Sequence, residues 1–255
     1  MEQIKKLLRD AGALMTGARD AQVSKKGRSN YVTDTDVAVQ EFLREALNAR
    51  YPGYGFFSEE QENHPDFSRP VWILDPIDGT ANFISRYRQS AISLALYERG
   101  TVALGAVYNP FTQELFSAER GGGAFLNDQP IQAERQAALE DVLVDLGTMP
   151  YYKDRAEEVG RLATALLLRA SDLRRCGSAA LALCHTADGR IGGMMEGILN
   201  PWDYAAGMLI ASEAGARVTD WEGNPLSCRN AASVLAAGNG LHPALLKLIR
   251  EVLKK

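Results

Sequence analysis

Apolar residues recur at helical spacing from the start of the chain: Ile4, Leu7, Leu8, Ala11, Leu14 and Met15 predict an amphipathic helix with its charges turned outward. The polar stretch Ser24 to Tyr31 reads as a loop. Val39, Phe42, Leu43, Ala46 and Leu47 mark a second helix, with Thr35 or Asp36 at its start and Pro52-Gly53 at its end. Two short apolar runs, YGFFS at 54–58 and VWIL at 71–74, predict strands. From Ser90 to Phe125 the segments SAISLALY, TVALGAVY and QELFSAE, the first two joined at Arg99-Gly100, predict an antiparallel meander.

Further on, 155–169 is helix-like, Leu173 to Cys176 reads as a strand, and Ser178 to Ala187 as a helix of small residues. RIGGMME (190–196) and ARVTDWEG (216–223) predict strands on either side of a helix from Tyr204 to Ala214, and His242 to Lys254 predicts a final amphipathic helix. Helices, then an antiparallel block, then alternating elements predict layered sheets and helices of the α+β or α/β kind. No linker or repeat interrupts the chain. It reads as one domain, 1–255, with topological halves of about 1–140 and 141–255.

Composition narrows the partners. With 46% apolar residues in 255, a substantial core is available. Twenty-eight basic against 32 acidic residues, with no basic block, leave nucleic acid unexpected as a partner. The three cysteines, Cys176, Cys184 and Cys228, lack CxxC spacing, which argues against a disulfide framework and a zinc knuckle and for a cytoplasmic location. Arg9, Asp10 and Arg19 break any signal-peptide core, and no segment reaches the ~18 apolar residues of a membrane span. His64, His185 and His242 are too scattered for an HExxH-type site, so metal chemistry must rest on oxygen ligands, which favour hard cations.

The stretch WILDPIDGTANF, 72–83, concentrates that chemistry. An apolar strand ending at Asp75 delivers a carboxylate to the sheet's edge, and a turn at Pro76 brings Asp78 toward the same point. Gly79 permits close approach to a ligand, and a helix opening at Thr80 offers free amides to a phosphate. Two acids held this close repel unless a cation neutralises them. Taken singly, Glu59-Glu60 after YGFF reads as a solvated pair, and Asp203 before the helix at 204 as an N-cap.

Together, SEE at 58–60, WILDPIDGTANF and WDYAAGMLIASEAG at 202–215 resemble, in order and separation, the inositol monophosphatase family of magnesium-dependent phosphatases. The resemblance runs from about Lys25 to Asn239 and implies a layered αβαβα sandwich. It implies metal ligands Glu59, Asp75, the Ile77 carbonyl, Asp78 and Asp203, holding two or three magnesium ions, with manganese a possible substitute. Ile77, Asp78, Gly79 and Thr80 would bind the phosphate. Glu59 and Thr80 would aim the attacking water, Thr80 being held by Asp36, whose place is carried by VTDTD at 32–36; Asp34 competes for that role. One cation would lower the pKa of water and a second would stabilise the leaving oxygen.

CGSAA at 176–180 and MMEG at 194–197 resemble the family's substrate segments, implying Gly177, Ser178 and Ala179 near the alcohol and Glu196 on its hydroxyls. Arg86 and Arg88 stand where the inositol enzymes often show a histidine-arginine pair. A thiol-phosphatase CxxxxxR pattern is absent: Ala182 stands where Cys176 would need an arginine, and Cys176 and Cys184 read as buried small residues. The expected substrate is inositol 1-phosphate or a similar polyol or sugar phosphate. Fructose 1,6-bisphosphate, histidinol phosphate, NADP and a 3′-phosphonucleotide are alternatives within the family, and a regulatory or binding role on the same scaffold is an alternative of another class. Homodimers and inhibition by lithium are also expected from the resemblance.

Overall fold

The computed structural model describes residues 1–18, 22–27, 30–61, 65–134 and 138–253; His64 and the end of the last predicted helix, at Lys254, lie outside them. Helix α1 (Glu2–Gly17) buries Ile4, Leu8, Ala11 and Met15 along one stripe, and α2 (Asp34–Arg50) buries Val39, Leu43 and Leu47. Between them stands a hairpin, β1 (Val23–Gly27) and β2 (Asn30–Thr33), where the sequence read as a loop. Its residues in β1 are exposed, so no apolar alternation could reveal it.

Seven strands form the first large sheet in spatial order: β3 (Gly55–Ser58), β4 (Val71–Asp78), β5 (Ala91–Glu98), β6 (Thr101–Asn109), β7 (Glu114–Glu119), β8 (Ala124–Leu126) and β9 (Gln129–Ile131). Strand β3 is parallel to β4 and the rest are antiparallel neighbours, which bears out the meander. A short helix, α3 (Thr80–Ile84), follows β4 directly. The second sheet takes β10 (Leu143–Leu146), β11 (Asp172–Arg174), β12 (Gly193–Leu199), β13 (Ala216–Thr219) and β14 (Ala232–Gly238) in the order β11-β10-β12-β14-β13. Strands β8, β9, β10 and β14 were not predicted.

Side-chain alternation sorts these elements into layers. One face of the first sheet, with Trp72, Leu74, Leu94 and Ala106, packs on α1 and α2. Its other face, with Ile73, Ala95, Val107 and Phe116, meets α5 (Ala179–Ala187) and α6 (Pro201–Glu213), which also cover Met194, Val234 and Ala236 of the second sheet. The far face of the second sheet, with Val144, Met195 and Leu235, rests on α4 (Ala156–Leu167) and α7 (His242–Leu253). Helices, sheet, helices, sheet, helices: the expected αβαβα sandwich is the observed one. Helices α5 and α6 are apolar almost all round because each lies between two sheets.

Candidate active site

Strand β4 runs through Asp78 rather than turning after Asp75, and all eight of its residues are buried. Residues three apart on a regular strand face opposite sides. The register slips here: Asp75 lies opposite Ser93 and Asp78 opposite Ala91, so three steps on β4 match two on β5. This bulge at Pro76-Ile77 turns both aspartates to one side, and Pro76, which has no N–H, sits where the ladder is already interrupted. Asp75 Oδ1 accepts the Ile77 N–H at 3.0 Å, which fixes the bulge.

Asp203 reaches the same point from the other half of the chain. Asn200 caps α6, Pro201 takes its first position and Asp203 its third. Asp203 is therefore not the N-cap; its Oδ2 accepts the Asn200 N–H at 2.6 Å, leaving the other oxygen for the site. Carboxylate oxygens of Asp75, Asp78 and Asp203 lie within 4.8 Å of one another. Asp78 Oδ2 accepts the Ala180 N–H at 2.7 Å and the Ser178 hydroxyl, tying the first half of the chain to the start of α5.

Glu59, just beyond β3, borders this trio. Its carboxylate is 4.0 Å from Lys26 Nζ, while Glu60, with a side chain only 4% exposed, pairs with the same lysine. Neither is a freely solvated surface acid, and Lys26, from the stretch read as a loop, is a member of the site that the sequence did not single out.

The electrostatics follow from this crowding. Asp75 and Asp203 are pushed well above the usual carboxylate range, first by burial and then by Glu59 and Asp78. Burial raises Glu59 to about 7 against the pull of Lys26. It raises Asp78 too, against the hydrogen bonds from Ser178 and Ala180. Such a cluster is stable in its ionised form only beside cations. The donors are all oxygen and suit magnesium, manganese or calcium better than a soft metal.

Asp36 stands at the third position of α2, fully buried, and Thr33 rather than Thr35 or Asp36 is the cap. Its Oδ2 accepts the Thr33 N–H at 2.8 Å, and its Oδ1 lies 3.4 Å from Thr80 Oγ. Burial lifts it to about 6. Its competitor Asp34 is exposed and accepts the Gln22 N–H at 3.1 Å, away from Thr80. The Thr80 hydroxyl also lies 3.1 Å from the Ile77 carbonyl. Gly79, at φ +87°, must be glycine: a Cβ would fall 2.9 Å from the Gln89 carbonyl oxygen and 3.1 Å from that of Gly177.

Asp78, Gly79, Thr80 and Asp203 open on a cavity of about 350 Å³ that Gly177, Ala179 and Glu196 also line, whereas Asp36, Glu59 and Asp75 are not in its wall. Ser178 serves it indirectly, capping α5 and holding Asp78. Glu196, on β12, is 5% exposed, accepts the Met149 N–H at 3.2 Å and is raised to about 7 by burial against the charge of Arg175. Sequence reasoning missed Tyr31, Asn82, Met149, Tyr151, Tyr152 and Arg175 in the same wall. The Tyr151 phenol is raised by burial and by the charges of Glu59, Asp203, Asp75 and Asp78. The pair Tyr151-Tyr152 after an unrecognised strand was the one available signal. Cys176 is only partly buried and borders the cavity, whereas Cys184 is fully buried as expected. The Cys176 thiol is pushed up to about 12 by burial and by Asp145, which keeps it protonated.

A larger cavity, about 880 Å³, lies between the end of α1 and the loop after α3, with Met15, Phe83, Arg86 and Arg88 in its wall. None of the clustered acids reaches it, so the chemistry belongs to the smaller one, and Arg86 and Arg88 face elsewhere.

Comparison with known proteins shows which family the chain matches. Residues 2–254 match the profile of the inositol monophosphatase family. An inositol-1-monophosphatase from Mesorhizobium japonicum is 37% identical over 99% of this chain and 94% of its own. A Nus factor SuhB from Xylella fastidiosa is 34% identical over 88% and 84%. The solved structure of a Thermotoga maritima IMPase superposes with a TM-score of 0.91 at 32% identity, covering 99% of this chain and 98% of that one.

Proposed function

We infer, for a chain that belongs to the inositol monophosphatase family, that the acid-lined cavity hydrolyses a phosphate monoester whose alcohol is a polyol or sugar, inositol 1-phosphate first. The observation that carries this reading is the meeting of Asp75, Asp78 and Asp203 within 4.8 Å beside the Gly79-Thr80 turn. Magnesium, two or three ions with manganese as substitute, would be held by Glu59, Asp75, the Ile77 carbonyl, Asp78 and Asp203, and when bound supplies charge neutralisation of the phosphoryl group and acidification of water.

The chain's own groups do the rest. The phosphate lies against Ile77, Asp78 and the amides of Gly79 and Thr80, where a helix start offers unpaired N–H groups. With the Ile77 carbonyl turned to a cation, Asp36 would accept the Thr80 proton and leave the hydroxyl oxygen to orient the attacking water, with Glu59 on its other side. Gly177, Ser178 and Ala179 shape the alcohol side. Glu196 accepts hydrogen bonds from vicinal hydroxyls, which favours a polyol over a simple alkyl ester. In this reading the halves 1–140 and 141–255 act as one domain, because the ligands come from both.

Phosphate release from inositol 1-phosphate, fructose 1,6-bisphosphate, histidinol phosphate, NADP and a 3′-phosphonucleotide, each with magnesium and with EDTA, tests it. The highest kcat/KM is expected for inositol 1-phosphate, with none in EDTA; uniform slow turnover of every ester would overturn the polyol preference. A regulatory role on the same scaffold is the second reading, favoured by the relative named as a Nus factor. Rescue of a deletion phenotype by Asp78→Asn would establish it. A homodimer, sensitivity to lithium and a cytoplasmic location complete the proposal. The last is supported by three free cysteines, and no helix among the described residues is long and apolar enough to cross a membrane.

A further inference from the structure

Asp145 is a buried acid that the chemistry above leaves unused. It lies on β10 opposite Arg174 of β11, 3% exposed, and does not line the cavity. Its Oδ2 accepts the Cys176 N–H at 2.6 Å, two residues after the strand pairing ends. On the far side of the same residue, Asn82 Nδ2 donates to the Cys176 carbonyl at 2.9 Å and to the Gln89 carbonyl at 2.7 Å. Both peptide groups of Cys176 are thus held by side chains, one from each half of the chain.

The neighbours of Cys176 carry the consequence. Arg175 and Gly177 both line the cavity. Gly177 has φ +86°, and a Cβ there would fall 2.7 Å from Asn82 Nδ2, so this glycine admits the asparagine as well as the backbone turn. Arg175 Nε donates to Thr148 Oγ at 3.0 Å, and Ser178 donates to Asp78. A buried carboxylate is a poor way to gain stability, since an apolar side chain of similar size fills the same space without desolvating a charge. Burial lifts Asp145 to about 6 even with the Cys176 N–H and the Arg175 charge in its favour.

We propose that Asp145 is a positioning residue for leaving-group recognition: with Asn82 it clamps Cys176, and so fixes the wall of Arg175 and Gly177 against the alcohol of the substrate. This rests on the polyol-phosphate reading of the cavity. The phosphate-binding side is built on β4 and α3, and Asp78 is held to the second half of the chain by Ser178 and Ala180 at the capped start of α5 rather than by the Asp145 bond. Losing that bond therefore weakens the grip on the alcohol and leaves the reacting phosphoryl group in place.

Kinetics on two esters separate this from a merely structural role: inositol 1-phosphate, and phenyl phosphate, whose alcohol has no further hydroxyls. Asp145→Ala is expected to raise KM for inositol 1-phosphate roughly fivefold or more with kcat within about twofold, while KM for phenyl phosphate changes less than about twofold. Asp145→Asn, which keeps an acceptor oxygen, is expected to restore the wild-type KM. Hydrogen exchange over 174–178 reads the clamp without turnover and should quicken in Asp145→Ala and in Asn82→Ala, the latter approaching from the other peptide group. Equal losses on both esters, Asn behaving as Ala, or unchanged exchange in both alanine variants would overturn the clamp. Wild-type protein inactive on inositol 1-phosphate would count against the substrate reading instead, and exchange alone would then decide the clamp.

Discussion

Asp36 and Asp203 occupy equivalent places in two different helices: each is the third residue, and each gives one carboxylate oxygen to the amide of its helix cap, Thr33 at 2.8 Å and Asn200 at 2.6 Å. The capping bond fixes the side chain, so the second oxygen is aimed without further ordering cost. Two local signals for starting a helix are reused to build one site.

For Asp36 the second oxygen meets Thr80 at 3.4 Å. Thr80→Ala and Asp36→Asn should each lower kcat about 100-fold with KM within about threefold, since in the proposed mechanism only the orientation of water would be lost. The double variant should be little worse than either single one, because the two side chains act as a unit. Steady-state kinetics of the three proteins check this; additive losses would separate the pair.

For Asp203 activity and stability should part company. Asp203→Asn keeps an acceptor for the Asn200 N–H but removes one of three carboxylates within 4.8 Å. Activity with magnesium should fall at least about 100-fold. The melting temperature in EDTA should rise, each ~1 kcal/mol of relieved repulsion being worth roughly 2–4 °C in a chain of this size. Thermal melts and phosphate release on the same samples decide it.

The pH dependence of the metal-free protein has a definite sign. Glu59 and Glu196 at about 7 and Asp36 at about 6 lie above the ordinary carboxylate value of about 4, so the folded state holds these protons more tightly than the unfolded one. Their contribution to stability is intact below about pH 4 and is lost as pH rises through about 6 to 7. In EDTA the melting temperature should therefore fall between pH 5 and 8. Magnesium or manganese should flatten that fall, because a bound cation stabilises the ionised cluster. A melting temperature that climbs over the same interval in EDTA would contradict it.

Gly147 makes room for Glu196. A Cβ at Gly147 would fall 2.1 Å from Glu196 Cδ, so Gly147→Ala must push the carboxylate out of place. Overpacking of this kind costs about 1–3 kcal/mol. KM for a polyol phosphate should rise about tenfold, the worth of one hydrogen bond to a charged group, with phenyl phosphate much less affected. Calorimetry and the two-substrate assay read both effects.

Much of this was legible in the chain. Helical spacing at Ile4, Leu8, Ala11 and Met15, the meander from Ser90, and the small-residue helix after Ser178 all depend on local patterns that tertiary packing then obeyed. The exposed hairpin carrying Lys26 and the strand Leu143–Leu146 leading to Tyr151 were not legible. Strand β1 of the hairpin is exposed along its whole length, and the strand Leu143–Leu146 is too short to show a period.

The sequence by itself determined which chemical groups were available: oxygen acids without clustered histidine or paired cysteine, placed at the ends of apolar runs. Only the tertiary structure decided which of them meet. Asp36 was separated from Asp34 by the capping bond to Thr33. Asp75 and Asp78 were turned to one side by a slipped register against β5, and Asp145 was brought to Cys176 by parallel pairing of β10 with β11. Each of these is a hydrogen-bond choice the backbone makes only against its neighbours in space, and the order of residues along the chain does not contain it.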